Sequence, residues 1–223
     1  MRKRTLIIIT IISTILSLII TFSSYFGLIR YLCCHIKSTD KFIENYSKLP
    51  KASTDNKVAI SFTCKKDKID KLKPFINSIM DQTVKVDLIA MITPLGNKEE
   101  DYNIPKYIKD IAVIFPSGRD CGKGTKLMPM LLREKEKDTI IISLDENKIY
   151  GEDFIYTMVE ESKKYPDSVL VDKKGSSILV RSDHFHCDVF NRENDNLDNE
   201  WFLTKAKNSK VVDYNEIYGI INF

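Results

Sequence analysis

Hydrophobic and polar positions divide the chain into three patterns. Residues 5–29, "TLIIITIISTILSLIITFSSYFGLI", contain no charged side chain, and about 20 apolar residues are enough to span a bilayer as a helix. The run is apolar on every face, unlike a helix that shares its surface between core and water. Residues 30–56 turn polar and end in "LPKASTDNK", a composition suited to a linker. From Lys57 onward, short apolar runs alternate with apolar positions spaced at three and four.

These runs predict the elements of one domain. "VAISFT" (58–63) reads as a first strand, and Leu72, Ile76, Ile79 and Met80 as one face of a helix. Pro74 lies early enough to begin that helix. "VDLIAMI" (86–92) and "IAVIF" (111–115) are further strands; Thr125 can cap a helix whose buried face is Leu127, Met128, Leu131 and Leu132. "TIIISLDENKIYGED" (139–153) is a buried strand running into a charged tip. A helix over 152–165 follows, with Phe154, Ile155, Met158 and Val159 inward and Pro166 at its end. "SVLV" and "SSILVR" are short strands, the second paired back onto the sheet; a short helix near 201–206 and "KVVDY" close the domain. Strands alternating with helices predict an α/β fold, a mostly parallel sheet with helices on both faces. The predicted organisation is a tail (1–4), a transmembrane signal anchor (5–29), a stalk (30–56) and a folded domain (57–223).

Composition adds limits. Of 223 residues 43% are hydrophobic and 29% charged, enough for a packed core. A net charge of +3, with lysines scattered among acids, gives no electrostatic footprint for nucleic acid. Arg2, Lys3 and Arg4 precede the apolar run, and Arg30, Lys37 and Lys41 follow it, so the positive-inside count is nearly tied. The four-residue tail before a long domain favours a cytoplasmic amino terminus. The expectation is a single-pass protein, held in the lipid bilayer by its N-terminal helix, with a luminal or extracellular domain. A cleaved signal peptide would have a shorter apolar run and a small-residue cleavage site.

Cys33, Cys34, Cys64, Cys121 and Cys187 have neither a zinc spacing nor a small-disulfide framework. The first two lie at the membrane edge, open to palmitoylation on the cytosolic side or to linkage between chains on the luminal side; the other three read as core thiols. Asn45-Tyr46-Ser47 is a glycosylation sequon, usable in the luminal orientation. His184 and His186 beside Cys187 are a poor zinc signal without a second cluster and read as surface strand residues.

The charged tip carries the candidate chemistry. Asp145, Glu146 and Asn147 follow the central strand, and open α/β sheets bind ligands at that edge. A metal site, a weakened metal site and a polar loop all remain open on the residues alone. The stretches "SIMDQTVKVDLIAMITP", "RDCGKGTKLMPMLL" and "IIISLDENKIYGEDFI" then fall in the order and spacing of a known group. The chain resembles a GT-A type nucleotide-sugar transferase domain, with a pattern of approximately D-x-G-P-x-T-K-L followed by apolar-x-D-D-D-x-x-Y. The resemblance covers about Lys57 to Tyr214.

The resemblance implies a nucleotide-sugar donor and Mn2+ or Mg2+, held by a D-x-D motif to stabilise charge on the leaving diphosphate. Asp145 matches the first Asp, Glu146 lies between, and Asn147 stands where the last Asp is expected. Asp120 and Lys126 match the upstream motif, for base or ribose and for phosphate, while Lys123 replaces its proline; Thr63 and Cys64 would flank the nucleotide. In "NLDNEWFLTKAK", Asp198-Asn199-Glu200-Trp201 matches a D-D-x-W-like segment whose second Asp takes the acceptor proton. Asn199 cannot do so, which leaves Asp198 or Glu200; Trp201 stacks on a sugar or belongs to the core. The implied function is a membrane-anchored glycosyltransferase acting on a glycan or protein hydroxyl. The alternatives are a catalytically degenerate relative that binds a glycan, a nucleotide sugar or a protein, and a membrane structural scaffold.

Overall fold

The structure is a computed structural model that describes residues 2–25, 27–53, 55–94, 103–118, 120–134, 136–173, 175–186, 189, 198–212 and 221–222. Strands β1 (Val58–Thr63), β2 (Leu88–Thr93), β3 (Val113–Pro116), β4 (Ile140–Ser143), β6 (Val169–Asp172), β7 (Ile178–Val180) and β8 (Ser209–Val212) form one sheet. Its order is β3-β2-β1-β4-β7-β6-β8, and β5 (Lys148–Ile149) pairs separately with β9 (Ile221–Asn222). All pairings in the large sheet are parallel except those of β7, antiparallel to both β4 and β6. The expected return of "SSILVR" onto the sheet is therefore present. Strand bounds differ from the sequence reading by one or two residues, the usual uncertainty where hydrogen bonding ends a strand.

Alternation along the strands builds two cores. Val58, Ile60 and Phe62 of β1 and Ile140, Ile142 and Leu144 face one cluster with α4 (Lys73–Met80), the short α5 (Lys106–Lys109) and α7 (Phe154–Lys164). Ala59 and Ile141 face the other, with α6 (Met128–Arg133) and α8 (Asn199–Lys205). Helices thus cover both faces, as parallel strands buried on both sides require. Phe154, Ile155, Met158 and Val159 are all buried, so the helical periodicity read from sequence is the packing face.

Residues 28–47 differ from the expected stalk. They form α2 (Leu28–Ile36) and α3 (Thr39–Ser47), which pack on α4. Arg30 donates to the carbonyls of Tyr150, Ser78 and Asp81 and pairs with Asp81 at 2.6 Å. Buried Asn77 donates to the Cys34 carbonyl at 2.8 Å, Phe42 enters the main core, and the Tyr46 hydroxyl accepts from Val86 N. The segment looks like a linker because only a few residues carry its buried face. Cys34, expected at a membrane edge, is fully buried, and burial pushes its thiol up to about 11; Cys33 stays half-buried. Asn45 is exposed on α3.

Among the described residues, no helix is long and apolar enough to cross a membrane. Helix α1 spans Arg2–Tyr25. Eleven Leu and Ile between Leu6 and Ile20 are each 51–67% exposed on it.

Candidate functional site

The order of the sheet locates a crevice. From β1 the chain runs outward through β2 and β3, then crosses back to β4 on β1's other side. Ligands bind at such a reversal, outside the carboxyl ends of the strands. Ser61 and Ser143 are register partners, so Thr63 and Asp145 leave the sheet side by side. A cavity of about 500 Å³ lies there. Its wall takes Thr63, Lys65 and Lys68 from the end of β1 and the 3-10 turn behind it, and Asp120, Gly122, Lys123 and Lys126 from the glycine-bearing segment. Asp145, Glu146 and Asn147 come from the acidic turn, Gly175 from the β6–β7 hairpin, and Asp198, Asn199 and Glu200 from the start of α8.

Nine of the ten residues singled out in the sequence therefore meet in one cavity. The tenth, Cys64, does not line it. Its side chain is fully buried in the main core, with Sγ 3.2 Å from the Lys65 carbonyl. Burial pushes the thiol up to about 12. The reason is alternation: Thr63 faces the cavity edge, so the next residue faces inward. The Thr63 hydroxyl itself donates to the Ile92 carbonyl at 2.8 Å and ties β1 to β2.

The acidic turn is held by short bonds. Asp145 Oδ1 accepts both Asn147 N and Asn147 Nδ2, each at 3.0 Å. Asp145 N donates to the Tyr150 hydroxyl at 2.8 Å, and that hydroxyl donates back to the Asp145 carbonyl. Burial pushes the Asp145 carboxyl up, but the two Asn147 donors and Lys126 outweigh it and hold it below its ordinary range. For Glu146, burial wins, with Asp145 adding to it, and the carboxyl lies above its ordinary range. Lys126 is nearly sealed beneath the turn, its Nζ donating to the Leu144 carbonyl at 3.1 Å. Burial lowers it, and Asp145 and Glu146 oppose the fall.

The other walls are equally committed. Asp120 Oδ1 accepts from Gly122 N at 2.9 Å and from the Thr125 hydroxyl at 3.1 Å. Thr125 thus closes a turn and does not cap a helix as the sequence suggests; α6 begins at Met128. Gly122, with φ 59, supplies the left-handed residue of that turn. Asp198 caps α8 by accepting from Trp201 N at 2.8 Å. Asn199 Nδ2 donates to the carbonyl of Gly175, itself at φ 63 in the hairpin. Among the described residues, the Glu200 carboxylate makes no hydrogen bond. Trp201 is half-buried and packs edge-to-face on Phe202, a core contact.

A divalent cation was expected at Asp145 and Asn147. Hard cations need several oxygens at 2.0–2.6 Å or so. Here Asp145 Oδ1 already holds two N–H groups, and Asn147 Oδ1 accepts the Lys68 ammonium at 3.1 Å. A divalent ion within about 4 Å of that ammonium would be repelled by about 8 kcal/mol at an effective dielectric of about 20. Among the described residues, no group of three or more His, Cys, Asp or Glu could hold a metal. The donors in this arrangement do not fit Mn2+ or Mg2+. Among the described residues the histidines form no zinc site, and His184, expected on a surface strand, lies in a 3-10 turn over Ser182–His184. His184 is buried, its ring bonded to Arg181 N and the Pro166 carbonyl, while Cys187 lies outside the described residues.

Sequence reasoning missed Lys65, Lys68 and Gly175, which line the cavity, and Tyr150, whose hydroxyl braces the acidic turn from within the core. Tyr150 ends the motif that carries the resemblance, a usable signal. Lys68 sits in "KKDKIDK" (65–71), where no pattern separates one lysine from another.

No family model and no curated protein matches the chain. Solved structures do. S. aureus TarS 1–349 superposes with a TM-score of 0.50 at 10% identity, over 73% of this chain and 59% of that one. The fold is GT-A-like. Two more solved structures match with TM-scores of 0.40 at 12% identity. Mannosyltransferase PcManGT of Pyrobaculum calidifontis, in complex with GDP-Man and Mn2+, is matched over 69% of this chain and 45% of that one. A structure described as a nucleotide-diphospho-sugar transferase of Desulfovibrio desulfuricans is matched over 73% and 83%. The chain spans 59% of the TarS structure, less than two thirds of it.

Proposed function

We propose that the chain is a membrane-anchored glycosyltransferase that transfers a sugar from a nucleotide-sugar donor to a hydroxyl of a glycan or protein. One observation carries this reading: the acidic turn after β4 and the Asp198–Glu200 segment line the same cavity at the reversal of the sheet. Those two segments lie more than 50 residues apart in the sequence, and a donor site and an acceptor base must share one space for transfer. The GT-A-like fold supports the same class.

In this reading the carboxyl edge of β1 and the glycine-bearing turn receive the nucleotide, with Thr63 and Asp120 at its wall and Lys126 toward phosphate. Asp145 and Asn147 shape the floor beneath the diphosphate. Glu200 takes the proton of the acceptor hydroxyl, because Asp198 is committed as the cap of α8 and Asn199 carries no basic carboxylate. The metal expected at the turn is given no step, since its donors do not fit.

The anchor is part of the proposal. Burying each exposed Leu or Ile of α1 is worth about 1.5–3 kcal/mol, which supports seating this helix in lipid; the orientation proposed with it has the amino terminus cytoplasmic and the domain luminal or extracellular. The test is donor binding and turnover by the full chain in detergent, with a panel of UDP, GDP and CDP sugars. Glu200→Gln is expected to lower kcat by about 10²–10⁴-fold and to leave donor affinity nearly unchanged. Absence of binding to every donor would overturn the reading; unaltered turnover in Glu200→Gln would move the base elsewhere.

A further inference from the structure

The cavity holds four lysines on two segments that flank the acidic turn. Lys65 and Lys68 come from the chain just after β1, and Lys123 and Lys126 from the glycine-bearing segment. Among the described residues none of the four is in ion-pair contact with a carboxylate. Lys68 Nζ bonds a neutral amide oxygen, Asn147 Oδ1, and Lys126 Nζ bonds a backbone carbonyl, Leu144 O. Of the carboxylates lining the cavity, Asp120 is bonded by Gly122 and Thr125, Asp145 by Asn147 and Asp198 by Trp201; Glu146 and Glu200 share the cavity, and Asp145 and Glu146 act on Lys126 through space without contact. Two ammonium groups bonded only to neutral oxygens, one of them almost wholly buried, stand ready for a polyanion. The position where a metal-holding turn would present its last carboxylate is here an amide turned to an ammonium.

We propose that Lys68 and Lys126 compensate the charge of the donor's diphosphate in place of a divalent metal. This rests on the reading of the cavity as a nucleotide-sugar site. Each ammonium is a compact point charge with three donors, and two of them supply the same +2 as one divalent ion. Fixed donors in a partly enclosed cavity stabilise developing anionic charge without reorganising. Asn147 holds Lys68 in place, which explains an amide where a second carboxylate would trap the lysine in an ion pair.

The test is calorimetric titration of the full chain in detergent with UDP, GDP and CDP, in EDTA and again with Mn2+. The expected result is binding of at least one nucleoside diphosphate in EDTA, with little change on adding Mn2+. Lys68→Gln is expected to weaken that binding by about 10- to 100-fold, and Lys68→Arg, which keeps the charge, to retain most of it. Thermal melting of both variants verifies that they fold. Binding that requires Mn2+, or a Lys68→Gln variant that binds as the parent does, would overturn the proposal while leaving the nucleotide-sugar site standing. No binding in either condition would remove the site itself, and the proposal with it.

Discussion

Asn147 and Asn199 each stand where a carboxylate is expected, and each uses the NH2 group that a carboxylate lacks. Asn147 donates to Asp145 and Asn199 to the Gly175 carbonyl. They are donors that hold two loops, so restoring Asp does not restore a lost function. Asn199→Asp places a carboxylate against a carbonyl oxygen. It is expected to cost about 1 kcal/mol of stability and to lower turnover, as melting and donor-sugar release would record. Glu146 is the second residue whose environment has a measurable consequence. Its folded-state carboxyl is raised above the ordinary value of 4.5, by burial first and Asp145 second. A raised carboxyl contributes stability that is fully present below the unfolded value and is lost as pH rises through the folded value. Glu146→Gln, neutral at every pH, is therefore expected to melt higher than the parent at pH 7.5, with the difference vanishing near pH 4. A constant difference across that range would contradict the burial argument.

At the scale of elements, the strands were legible because strands buried on both faces read as apolar runs, and β1 and β4 are such runs. The helices α4 and α7 were legible through their spacing. Helices α2 and α3 were not, since their docking depends on single residues at long range. Arg30 is the clearest of these: 14% of its side chain is exposed, and it bonds carbonyls on both α4 and the loop that ends the acidic turn. Arg30→Met leaves Asp81 and those carbonyls without their donor and is expected to cost about 3 kcal/mol. Proteolysis between 37 and 57 should then accelerate, because α2 and α3 lose their anchor on α4. An unchanged cleavage rate would mean that the ion pair does not hold these helices.

At the scale of the whole molecule, the described fold reaches back to the edge of the apolar helix. A chain beginning at Lys57, where polarity suggests the boundary, would expose the α4 surface that Cys34 and Phe42 cover. A chain beginning at Gly27 keeps that cover and Arg30. The longer one is expected to be more stable by several kcal/mol, read as a higher denaturant midpoint; equal midpoints would return 30–56 to the status of a linker. The sequence by itself determined the α/β class, the inward faces of α4 and α7, the uncharged run at 5–29 and the acidic tip after β4. These are consequences of local periodicity and composition, which act within a few residues. Only the tertiary structure decided that β7 inserts antiparallel between β4 and β6, that Cys64 turns inward, and that 28–47 docks. It alone decided, too, that Lys68 reaches Asn147 and that Glu200, among the described residues, keeps its carboxylate clear. Each of those depends on groups distant along the chain meeting at one edge of the sheet, where register and desolvation, not residue type, select the partner.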